Sequence, residues 1–418
     1  MAPPHSTPPI AVVPFVLVLA GIAILPLAAP RFWDRNRNKA VFSALLAAPA
    51  AAWLLASAPG LLIHAVYEYA SFLCLLGSLF VVAGGIHLAG DLHASPRTNT
   101  IILGIGALLA SLLGTTGASM LLIRLLLRTN SERRHTRHIP FFFILLVSNA
   151  GGLLTPLGDP PLFLGFLRGV PFTWTLRLFP IWALAVGYLL ALFYWSDCRA
   201  YAREAVTDLA KDALQFEPLR ISGRLNLVWL AAIVLSVFLP SPIRESVMVG
   251  AAVASLLIGG RAGRNKNGFS FSPIAEVAIL FAGIFVTMTP ALLLLEQRGP
   301  ALGLSAPWHF FLVSGALSSV LDNAPTYLTF LTAAQSTATS LGLAPDVVSV
   351  PASLLAAVSA GSVLMGANTY IGNGPNFMVK SMAEASGYRM PSFGRYAVMA
   401  ILILSPVYVV AAILVGLY

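Results

Sequence analysis

The chain alternates long apolar runs with short polar loops. Apolar runs cover residues 11–29, 40–57, 66–89, 99–128, 140–166 and 173–194, then 225–240, 243–260, 272–295 and 396–417. Runs of this kind predict membrane-spanning helices. Pro30 ends the first, Pro59-Gly60 ends the second, and Pro171 signals the start of 173–194. The first run lacks a preceding basic region and reads as a retained helix, not a signal peptide. The run 66–89 carries Glu68 near one end and Gly84-Gly85 near the other.

Polar breaks interrupt this pattern in two pairs. Residues 99–128 are interrupted by Gly114-Thr115-Thr116-Gly117-Ala118-Ser119, which leaves open a continuous crossing or a hairpin that enters and returns on the same side. Residues 148–163 hold Asn149, Thr155 and Asp159 among glycines and prolines, and the tandem Pro160-Pro161 breaks the helical ladder. The order then recurs. Asp322-Asn323-Ala324-Pro325-Thr326 falls where Gly114 to Ala118 fell. Gly372-Asn373-Gly374-Pro375-Asn376-Phe377 aligns with Gly158-Asp159-Pro160-Pro161-Leu162-Phe163. A repeated pair of breaks predicts a repeated unit. The domain reading is a first repeat over 1–195, a linker over 196–224 with one short surface helix, and a second repeat over 225–418.

Charge adds orientation. With five crossings and one hairpin per half, loops 30–39, 90–99, 124–138, 196–224, 261–271 and 380–395 share one side and leave only Arg168, Arg177, Arg244 and Arg298 opposite. The positive-inside rule makes the first group cytoplasmic, with both termini outside and the two halves inverted. The predicted fold is an all-α polytopic membrane protein of the bacterial inner membrane. It is an inverted-repeat transporter with two re-entrant hairpins and two discontinuous helices.

Composition excludes several classes. The 418 residues are 58% hydrophobic and 10% charged, and the net charge of +9 is spread over loops, which argues against a nucleic-acid partner. Membrane lipid is the expected surroundings. Cys74 and Cys198 sit in unlike contexts, so no disulfide is expected. His87, Asp91 and His93 resemble a metal cluster, but their place at a helix exit favours a surface role. No nucleophile motif supports an enzyme, and no cofactor is implied. His309 beside Trp308 reads as interfacial, and Glu276 and Glu296 as helix-end residues.

The breaks carry the chemistry. Asp159 and Asp322 are their only formal anions, and no Lys or Arg occurs in any break. Carboxylates near the midplane of a membrane mark ion paths. They predict proton coupling, with cation or substrate binding at Thr115, Thr116, Ser119, Asn149, Thr155, Asn323, Thr326, Asn368, Thr369, Asn373 and Asn376. Sodium at the same residues is the candidate metal. Asp322 is the expected principal group, because Asn323 and Thr326 stand beside it. The prolines after Asp159 lack N–H donors, which makes it a helper.

The paired breaks resemble the ion-transporter superfamily that includes NhaD-type sodium/proton antiporters, arsenite permeases, citrate carriers and dicarboxylate transporters. Leu321-Asp322-Asn323-Ala324-Pro325-Thr326 resembles the NhaD-type Asp-Asn motif, and Gly372-Asn373-Gly374-Pro375-Asn376 the Gly-Asn-rich break that follows it. Asn149-Ala150-Gly151-Gly152 and Gly158-Asp159 resemble the first-half break. The resemblance implies a homodimer with a scaffold and a mobile transport region in each subunit. It implies exchange of sodium for protons, with cation-coupled citrate or dicarboxylate transport as the alternative. Dicarboxylate carriers of the group use two Ser-Asn-Thr motifs, whereas this chain has Ser148-Asn149-Ala150 and Ala367-Asn368-Thr369.

Overall fold

The computed structural model describes residues 7–214, 217–259 and 261–418. The first half runs through α1 (Val13–Ala28), α2 (Pro30–Trp33), α3 (Asn36–Ser57), α4 (Pro59–Gly84), β1 (His87–Asp91), α5 (Pro96–Thr129), α6 (His138–Leu146), α7 (Pro160–Leu167) and α8 (Phe179–Tyr201). The connection holds α9 (Val206–Leu214) and β2 (Glu217–Ser222). The second half comprises α10 (Leu225–Ser236), α11 (Ile243–Ile258), α12 (Arg261–Lys266), α13 (Ser272–Arg298), α14 (Pro307–Ser318), α15 (Asn323–Ser340), α16 (Ala352–Met365), α17 (Gly374–Ala385) and α18 (Phe393–Leu414).

Among the described residues, 7 helices are long and apolar enough to cross a membrane, so this is an integral, polytopic membrane protein. The expected crossings at 225–240 and 243–260 appear as helices of 12 and 16 residues. The run at 140–166 and the segment that carries the Gly372–Phe377 break are each divided in two, as α6 with α7 and α16 with α17.

The centre is built from helices that expose almost nothing. Every residue from Ile139 to Leu146 in α6 is buried, as is every residue from Leu354 to Met365 in α16. Such all-round apolar helices have no solvent face and must sit inside a larger bundle. The outer helices α1 and α3 instead leave large apolar side chains such as Ile24, Leu45 and Leu55 uncovered, as suits lipid contact.

Helix α5 is not straight. At Gly114 the backbone takes φ 76° and ψ 151°, a region open essentially to glycine. The chain folds back there. Asn99 and Asn130, 31 residues apart, exchange side-chain hydrogen bonds of 2.9 and 2.8 Å. A straight helix would separate them by about 46 Å. Asp197 of α8 fastens the junction, accepting from Asn99 at 2.9 Å, Arg133 Nη2 at 2.6 Å and His138 at 3.0 Å. In the second half, a short turn over 319–322 joins α14 to α15, and Ser336 near the far end of α15 donates to the Glu296 carbonyl at 2.8 Å.

Two expectations are corrected. The fold is not purely helical: β1 and β2 pair antiparallel, with His87 opposite Ser222 and Leu88 opposite Ile221. The polar connection therefore contributes a strand besides its short helix. His87 is not a surface residue. It is buried, with Nδ1 2.7 Å from Asn267 Oδ1, because the chain leaving α4 tucks beneath residues 264–268. Among the described residues no group of three His, Cys, Asp or Glu is placed to hold a metal.

Candidate functional site

The two breaks are held by matching bonds. In the first half, Ser111 Oγ donates to the Gly151 carbonyl at 2.5 Å, and the Ser111 carbonyl accepts from Thr155 Oγ1. In the second, Ser319 Oγ donates to the Met365 carbonyl at 3.0 Å, and the Ser319 carbonyl accepts from Thr369 Oγ1 at 2.5 Å. Each threonine hydroxyl also accepts a backbone N–H two residues on, from Leu157 and Ile371, both at 3.2 Å. These contacts fix each tip against its break. They also require glycine: a Cβ on Gly158 would stand 2.2 Å from the Gly152 carbonyl, and one on Gly372 2.5 Å from that of Gly366.

Matching positions then converge. Asp159 and Asn373 cap α7 and α17 with nearly the same backbone, φ −145°, ψ 142° and φ −150°, ψ 139°. Asp159 is 1% exposed. Its Oδ1 accepts from Thr115 Oγ1 and from Asn373 Nδ2, each at 3.0 Å. Its Oδ2 accepts from Asn323 Nδ2 at 2.5 Å. The carboxylate is thus gripped by the tip of α5, the start of α15 and the start of α17. Beside it, Asn149 Nδ2 donates to Asn376 Oδ1 at 2.7 Å and to the Ile144 carbonyl at 2.8 Å. Ser119 and Ser148 hydroxyls lie 3.0 Å apart.

Several buried side-chain oxygens among the described residues lack a partner, and one of them lies in this network. Asn323 is 0% exposed, and its Oδ1 has no hydrogen-bond partner. An orphaned buried oxygen of this kind is costly and marks a place for a donor or a cation. A cavity of about 30 Å³ adjoins the carboxylate. Thr115, Thr116, Gly158 and Asp159 form its polar side, and Phe72, Leu79 and others of α4 its apolar wall. That volume suits a water or a bare cation.

The family model described as "Putative citrate transport" (CitMHS_2) matches residues 5–415. The chain belongs to this citrate-transport family. No curated protein matches it. Membership makes the chain part of a transport family and not an enzyme. Of the superfamily branches that the motifs resemble, it is the citrate carriers that this match supports.

Most of the expected site residues of this family member fall into two groups. Asp159, Thr115, Asn149, Asn323, Asn373 and Asn376 meet in one network, with Ser119 attached through Ser148. Thr155, Thr369 and Asn368 serve as braces. Asn368 has both ends engaged, Oδ1 by the Tyr408 hydroxyl at 2.7 Å and Nδ2 by Ser319 Oγ at 2.9 Å. Thr326 donates to the Asp322 carbonyl at 2.9 Å, an ordinary first-turn bond of α15.

Asp322 is peripheral to the network. It is partly exposed and caps α15 by accepting from Ala324 N–H at 3.0 Å. Its carboxylate is engaged by its own helix, whereas the Asp159 carboxylate is held by side chains of three other positions. Asp159 makes no side-chain capping bond to its own helix, as its prolines imply, and side chains from other elements replace the N–H groups they lack. Sequence reasoning passed over Ser111, Ser319 and Tyr408. The two serines lie in the repeated stretches, so the repeat itself was the available signal.

Proposed function

We propose that the protein is a cation-coupled secondary carrier of citrate or a related small di- or tricarboxylate. The observation that carries this reading is the orphaned Asn323 Oδ1 beside a buried carboxylate that has no Lys or Arg among its hydrogen-bond partners. Such a site needs a mobile positive charge, a proton or a metal ion, to be filled. The family match supports this substrate class. Helices α7, α15 and α17 all start at these breaks, and their N-terminal ends favour the carboxylates of an acid. Cation and acid would then neutralise one another and travel together.

The matching bonds of the two breaks support two repeats, each with a hairpin and a discontinuous helix, and the distribution of the basic loops supports their inversion. The basic loops support a cytoplasmic-membrane orientation with both termini outside. The homodimer rests on the resemblance.

The test is uptake of labelled citrate by purified protein in sealed liposomes, with imposed proton or sodium gradients. Uptake that follows one gradient and stops on its collapse is the expected outcome. Sodium-driven proton movement with no citrate uptake would establish instead the second reading, sodium/proton exchange. That reading is favoured by a cavity of only about 30 Å³ beside Asp159.

A further inference from the structure

Glu68 lies one helical turn before Phe72, on the face of α4 that continues through Leu75 and Leu79 along the cavity. It is 4% exposed. Arg168 Nη2 donates to its Oε2 at 2.9 Å, and Arg168 Nε meets its Oε1. Arg168 is the C-cap of α7, and Asp159 is the N-cap of the same helix. Two turns of helix therefore join this ion pair to the carboxylate at the centre of the site. The end of α7 has a second anchor, since Phe166 lies under the Arg244 guanidinium of α11 at 5.6 Å.

We propose that Glu68–Arg168 is a latch between α4 and the half-helix that carries Asp159, closing this end of the cavity and opening once in each transport cycle. The proposal rests on the carrier reading, in which the site faces the two sides of the membrane in turn. For Asp159 to change sides, α7 must shift against α4. Apolar surfaces can slide, but the buried Glu68 carboxylate loses its principal partner when Arg168, itself 30% exposed, moves away, and keeps only the exposed His64 imidazole at 3.2 Å. Such a contact has two states, made or broken. Arg168 and Glu68 are thus positioning residues: they touch no substrate, and they set which state α7 occupies.

The experiment reads sidedness and needs no substrate. Leu76, a cavity-lining residue, is changed to Cys in a background carrying Cys74→Ser and Cys198→Ser. A membrane-impermeant thiol reagent is applied to right-side-out and inside-out vesicles. Glu68→Gln is expected to change the ratio of the two labelling rates by about tenfold. The charge swap Glu68→Arg with Arg168→Glu is expected to return it towards the starting value. An unchanged ratio in Glu68→Gln that still elutes as a monodisperse species would overturn the latch. Should Glu68→Gln not fold, Glu68→Cys with Arg168→Cys gives the second measurement. The cross-linked pair should label from one side only and regain both on reduction; labelling from both sides while cross-linked overturns the proposal. Because citrate is absent throughout, a failure here is separable from a failure of the citrate reading.

Discussion

Asp159 is where the physics of single residues is most exposed. A buried carboxylate is tolerable only when its oxygens are occupied, and here Thr115, Asn323 and Asn373 occupy them. Replacing it by Asn removes the charge and also turns an acceptor into an NH₂ group that confronts existing donors. Asp159→Asn is therefore expected to lower cation-coupled uptake by at least about tenfold, roughly the ~1.4 kcal/mol of one charged hydrogen bond. Asp322→Asn should have the smaller effect, since an Asn side chain can still cap α15 through Ala324 N–H. Uptake and its gradient dependence in liposomes, with elution profiles as the folding check, decide between them. Near-normal coupling in Asp159→Asn would remove it from the centre of the mechanism. That these polar breaks would come together was legible in the sequence, but which of the two carboxylates lies inside the hydrogen-bonded network was not. The prolines after Asp159 advertise a lack of local donors, while the donors that replace them come from residues 44, 164 and 214 positions away.

At the scale of elements, the breaks were legible because Gly, Pro, Asn and Asp interrupt apolar helices for known backbone reasons. Whether 99–128 folds back was less so, since a hairpin and a continuous crossing share one apolar pattern until the contact between Asn99 and Asn130 separates them. The sheet was illegible. Its strands are short and more than a hundred residues apart, and only their pairing makes them strands. That pairing has a consequence for pH. Asp91 ends β1, outside the membrane-spanning segments, where burial first and then the Glu132 and Asp212 carboxylates raise its carboxyl from 3.8 to about 6, against the opposing pull of Arg128. The folded state therefore holds a proton on Asp91 in a window where the unfolded chain has released it. Stability from this group is present at low pH and falls as pH rises from 3.8 to about 6. Above that window the charged carboxylate burdens only the folded state. Asp91→Asn is expected to raise the melting temperature in detergent at pH 8, and the gain should shrink to nothing below about pH 4. The same gain at both pH values would show that Asp91 titrates as an ordinary surface group.

For the whole molecule, the contacts between distant loops sort them into two sets. Arg124, near the end of α5, reaches the Lys266 carbonyl at 3.3 Å, the Leu127 carbonyl accepts from Tyr388 at 2.8 Å, and Arg128 reaches the Gly90 carbonyl at 3.4 Å. The far end of α15 lies in other company. Gln335 donates to the Val348 carbonyl at 2.9 Å, Asp346 pairs with Arg177 at 3.2 Å, and Tyr418 donates to the Arg177 carbonyl at 2.7 Å. The first set gathers loops rich in Lys and Arg, and the second holds Arg177 and the C-terminal residue. Ser111 and Ser319 make corresponding bonds, so the chain just after α5 corresponds to the end of α15, and Ser131 to about Ser340. Halves of the same orientation would place these two on one face; inverted halves would place them on opposite faces. Single cysteines at Ser131 and Asn265 should react with an impermeant thiol reagent from the cytoplasmic side, and cysteines at Thr173 and Ser340 from the outside. All four positions are exposed, so labelling needs no local opening. Reaction of Ser131→Cys and Ser340→Cys from the same side would refute the inverted arrangement. The local match of the two breaks would then need another origin, because equivalent hydrogen bonds do not by themselves fix how a half sits in the membrane.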